Sequence, residues 1–127
     1  MKKIINMKTL IFISAILIAF ATYGQDKVLL DQAEDIAIYS AKEFELAMMA
    51  TDGELYLFGQ EFGIEGEYTF RISIGLKNKV TSVFVIERKG GDIAMQNKVK
   101  DAVKEFKFIT FKVPKGKHYN VEYIFKF

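Results

Sequence analysis

The sequence of 127 residues contains no cysteine and no tryptophan, and has a single proline, Pro114, and a single histidine, His118. Without cysteine there is no disulfide, no thiolate metal site, no thiol nucleophile and no lipid attachment through a terminal cysteine. One histidine cannot make an H-x-x-x-H metal pair. His118 precedes an alternating segment and has no acid or nucleophile pattern beside it, as a solvent-facing strand-end residue would. With one proline, the chain carries no stiff polyproline spacer. The carboxylates Glu61, Glu65 and Glu67 cluster, but a carboxylate pair is too common to indicate hydrolysis. The expectation is a protein that is not an enzyme and binds neither metal nor cofactor.

What is present begins with export. Lys2, Lys3 and Lys8 precede Leu10–Ala21, an uncharged apolar run. That is the basic and hydrophobic order of a secretory signal, and the run is shorter than the ~20 residues a membrane-spanning helix needs. Thr22-Tyr23-Gly24 offers a small residue before Gln25, so residues 1–25 read as a cleavable signal peptide, with an uncleaved anchor as the alternative. The protein is then periplasmic or secreted, with no membrane insertion after cleavage. The formal net charge of +2 falls to near neutral once the three leader lysines are removed, which gives no general case for nucleic acid or an anionic membrane as partner. Charge is nevertheless segregated: Asp26–Glu67 holds two bases against eleven acids, and Tyr68–Phe127 holds thirteen bases against five acids. The expectation is that the two halves lie against each other and offset these charges.

Local patterns divide the remainder into an acidic helical segment, 26–54, and a domain, 55–127. Asp31-Gln-Ala-Glu34 has capping-box form, and Ile36, Ala37, Phe44, Ala47 and Met48 recur at helical spacing, which predicts a helix over 32–50 with a break near Ser40. Gly53 marks its end. Met48-Met49 reads either as core filling or as an adaptable binding surface. Gly59, Gly63 and Gly66 mark a loop. It leads into a strand and not a helix, so it is no phosphate cradle, and its glycines serve backbone geometry. Tyr68, Phe70, Ile72, Ile74 and Leu76 alternate with polar residues as a half-buried strand does. Asn78 turns the chain into a second strand, Val80–Arg88, and Gly90 and Gly91 end it. Asp92 caps a helix whose Met95, Val99, Val103 and Phe106 share one face. Phe108–Lys117 is a turn region, and Tyr119–Phe127 alternates as a final strand.

Gly63-Ile-Glu-Gly66, the alternating strand, the short turn and return strand, the helix ending in Phe106-Lys-Phe108, the Gly116-Lys117 turn and the terminal Val121-Glu-Tyr123-Ile-Phe125 together resemble the C-terminal domain of TonB-like proteins over about Tyr56–Phe127. Leu57 stands where that family has proline, and Asn78-Lys79 where it has an Asp-Gly turn. The resemblance implies an α+β, two-layer β-β-α-β antiparallel sheet preceded here by an N-terminal helix. It also implies a docking fold without the family's membrane anchor and proline-rich spacer.

In that family an extended partner segment adds beside the last strand. The implied partner-binding edge here is Tyr119, Asn120, Val121, Glu122, Tyr123, Ile124 and Phe125, and the implied partner is an envelope protein or peptide segment, or a second copy of the chain. The competing reading makes the aromatic face of this strand plain core and the protein a structural domain that only self-associates. An RNA-recognition signature is missing from the strands, so nucleic acid is not expected as a partner.

Overall fold

The computed structural model describes residues 27–127, and the expected leader lies outside them. Three helices and five strands in two sheets form a mixed α and β fold. In chain order these are β1 (Val28–Leu29), α1 (Ala33–Ala47), α2 (Glu54–Phe62), β2 (Glu67–Ile74), β3 (Val80–Lys89), α3 (Ile93–Lys104), β4 (Phe111–Lys112) and β5 (Tyr119–Lys126). The main sheet is antiparallel in the order β3-β2-β5, and β1 pairs with β4 in a short parallel ladder.

Strand alternation produces the two faces of the main sheet. Tyr68, Phe70, Ile72 and Ile74 of β2 are buried, as are Val83 of β3 and Val121 and Phe125 of β5. The intervening residues of β2 and β5 face outward, which an antiparallel sheet tolerates because one side can stay solvated. On the inner face α3 packs over β3 and α1 over β5. Asp92 caps α3 as its sequence predicts, its Oδ1 accepting the Met95 N–H at 2.8 Å, and Val99 and Val103 bury the apolar stripe.

Phe44 of α1 is the centre of this core. Its ring centroid lies 4.9 Å from Phe106, 5.2 Å from Phe108, 5.1 Å from Tyr123 and 5.0 Å from Phe125. The acidic segment is thus joined to the C-terminal part by aromatic packing. A second join is polar: buried Glu43 accepts the Ile109 N–H at 2.8 Å, the Thr110 N–H at 3.1 Å and the Thr110 hydroxyl at 2.6 Å. Charge pairing plays little part. The ion pairs among the described residues are Arg71–Glu122 at 3.5 Å and Lys126–Glu67 at 3.8 Å, and only the second joins the two halves, so the expected offset of charges is not built from ion pairs.

Several local expectations are corrected. α1 runs unbroken through Ser40, whose hydroxyl donates to the Ile36 carbonyl at 2.7 Å and so satisfies itself inside the helix. Its N-cap is Gln32 with no side-chain cap, so the Asp31–Glu34 capping box does not form, although Glu34 and Asp35 still favour the positive end of the helix dipole. α1 ends at Ala47, and Gly53 begins α2 from an extended conformation, φ −60°. Gly59 lies within α2 and not in a loop. A Cβ there would meet the Phe127 ring at 2.7 Å, so its missing side chain admits that ring against the helix.

The other marked turn residues, Gly63, Gly66, Asn78, Gly90 and Gly91, all have positive φ. Two of them leave no room for a Cβ: at Gly66, φ +105°, it would meet the Lys89 carbonyl at 2.7 Å, and at Gly91, φ +63°, the Glu65 carbonyl at 2.6 Å.

Candidate interaction edge

β5 is an outer strand of the main sheet, and its whole length pairs with β2 in one register, from Glu67↔Lys126 to Ile74↔Tyr119. The other outer strand differs. Against β2, β3 slips register between Thr69 and Phe70 and again between Ser73 and Ile74, so two bulges bracket its central residues. Bulges twist an edge away from further pairing, and β5 has none.

The direction of the free groups on β5 follows from one bond. Phe127 N–H donates inward to the Gly66 carbonyl at 3.0 Å. Because backbone groups alternate sides along an unbroken strand, the N–H groups of Asn120, Glu122, Ile124 and Lys126 point away from β2. Among the described residues no strand pairs on that side.

The sequence-marked edge residues separate cleanly by face. Val121 and Phe125 are buried and Tyr119 and Tyr123 half-buried, as core positions under α1. Tyr119 donates its hydroxyl to the Asp31 carbonyl at 3.1 Å. Burial pushes the Tyr123 hydroxyl above the ordinary tyrosine value, and the Glu45 carboxylate adds to the effect. Asn120, Glu122 and Ile124 are exposed, Asn120 accepting from the Ser73 hydroxyl at 2.5 Å and Glu122 facing Arg71.

Val121 and Phe125 therefore belong to the core, and an incoming chain can meet the backbone of β5, its outer side chains and the open side of Tyr123. A shallow depression opens beside β5, lined by Met48, Thr69, Glu122, Tyr123, Ile124 and Lys126. A narrower one adjoins it, sharing Met48 and Lys126 and continuing to Tyr56, Ile64 and Phe127. Met48, at the C-terminal cap of α1, is a lining residue that alternation along β5 does not reveal, and the Met48-Met49 pair marks it in the sequence.

Comparison with family models, with curated proteins and with solved structures finds no match to this chain. Among the described residues no helix is long and apolar enough to cross a membrane.

Proposed function

We propose that this chain is an exported docking module that binds an extended segment of an envelope protein by strand addition to β5. The observation that carries this reading is the unbroken eight-residue ladder that leaves the far side of β5 unpaired, while the opposite edge is bulged. Main-chain hydrogen bonds supply affinity in such complexes, and flanking pockets select side chains. The depressions around Met48 and Lys126 are suited to the second task. The resemblance to the TonB C-terminal domain supports the same edge and the same mode, and the basic and apolar leader supports export.

The test is a pair of substitutions at one outward N–H. Ile124→Pro removes the donor at an edge position where proline is structurally tolerated, and Ile124→Ala keeps it. The proline variant alone should lose its partner from an envelope fraction, or its dimer if the partner is a second copy, with both variants folded by circular dichroism. Equal binding by the two rules out strand addition at this position.

A further inference from the structure

Beyond partner docking, and independently of it, we infer that one end of the sheet is a contact surface for an anionic lipid bilayer. The fold gathers there what the sequence scatters. The turn between β2 and β3 carries Lys77 and Lys79, and the segment leading into and out of β4 carries Lys107, Lys112, Lys115 and Lys117. Lys79 and Lys107 are bridge partners, and Phe108 N–H donates to the Asn78 carbonyl at 3.3 Å. The His118 ring lies against Gly75, at the base of the same turn. All six lysines are exposed, and among the described residues none is in an ion pair.

No acid occurs from Leu76 to Ile86 or from Phe106 to Val121. The acids that reach this end are Glu43, whose carboxylate is taken up by the Ile109 and Thr110 N–H groups and the Thr110 hydroxyl, and Glu54, which lines a depression with Lys107 and Ile109. Like charges at bridged positions repel, and an anion bound at this end would relieve that repulsion.

Two features choose lipid over nucleic acid. Leu76 and Ile109, 49% and 68% exposed, stand among these lysines as apolar tips that can enter the headgroup boundary. The aromatic rings of the neighbouring segment, Phe106, Phe108 and Phe111, are all buried and offer no base a stacking platform. Lysines near an anionic leaflet each contribute about fivefold in affinity (~1 kcal/mol).

The test is co-sedimentation of the full chain with phosphatidylcholine vesicles, with and without phosphatidylglycerol. Binding should require phosphatidylglycerol and should collapse between about 0.1 M and about 1 M salt, where the screening length falls from ~10 to ~3 Å. Lys79→Gln with Lys107→Gln should weaken it roughly 30-fold. Lys115→Gln with Lys117→Gln, in the exposed loop, provides a second pair should the first disturb folding. Leu76→Ser should weaken binding without changing its salt dependence.

Binding unaffected by both lysine pairs, whether or not it requires phosphatidylglycerol, overturns the inference, since the leader's own lysines and apolar run would then account for it. A chain that ignores phosphatidylglycerol but binds a random oligonucleotide in a salt-sensitive way also overturns it.

Discussion

Replacing Phe44 with alanine tests whether the acidic helix is part of the core or an arm laid upon it. The ring is fully buried and lies within about 5 Å of four others, drawn from α3's exit and from β5. Truncating a buried phenylalanine costs about 3 to 5 kcal/mol, from lost transfer energy and the cavity left behind. A domain of this size has only about 5 to 15 kcal/mol in total, so the loss is a large fraction of its stability. With a urea m-value of about 1 to 3 kcal/mol/M, the midpoint should fall by at least about 1 M. The melting temperature should fall by at least about 12 °C.

Ile38→Ala, on the exposed side of the same helix, is the control and should stay within about 0.5 kcal/mol of the parent. A Phe44→Ala protein that unfolds at the parent midpoint, in one transition with an unchanged m-value, would refute a shared core.

Two further substitutions test the polar contacts. Glu43→Ala should cost about 2 to 4 kcal/mol in urea unfolding, because two backbone N–H groups and a hydroxyl lose a partly buried acceptor together, while Glu43→Gln should recover part of the loss. Tyr68→Phe tests a pH dependence. Burial is the main cause that holds the Tyr68 hydroxyl above its usual value of 10.0, with the Asp92 carboxylate adding to it. The folded state therefore keeps this proton longer than the unfolded state, so its contribution is complete below pH 10.0 and is lost as pH rises further through the folded value. The parent should lose stability above that pH more steeply than Tyr68→Phe, measured by urea midpoints across the alkaline range. At neutral pH the variant should be weaker by about 1 kcal/mol for the lost 2.6 Å bond to the Glu65 carbonyl.

The parts of this fold that could be read from sequence are those with a clear period. β2 and β5 announce themselves by alternation, β3 by its valine-rich run after the Asn78 turn, and α3 by its Asp92 cap and apolar stripe. α2 was hidden by Gly59, because a glycine that marks a loop and a glycine that admits a neighbouring ring look alike until Phe127 is seen against it. β1 and β4 are two residues each and have no period to detect.

Asp31 and Gly53 show the same limit at helix ends: the N-cap of α1 falls one residue later, at Gln32, and Gly53 opens α2 and does not close α1. At the interaction edge, alternation gave the inner and outer residues of β5. The regularity of its ladder and the bulges of β3 depend on pairing between strands and have no local signature. The basic end of the sheet was invisible for a related reason: the near-neutral total conceals six lysines that only the turn, the Lys79–Lys107 bridge and the β4 segment bring together.

The docking reading rests on β5 as the edge that accepts a strand, and amide hydrogen exchange reads that edge directly. Exchange is compared for the protein free and bound to whatever partner Ile124→Ala retains and Ile124→Pro loses. Strand addition requires the amides of Asn120, Glu122, Ile124 and Lys126 to gain protection on binding while those of β3 stay unchanged. Protection gained along β3, or at neither edge, would contradict it.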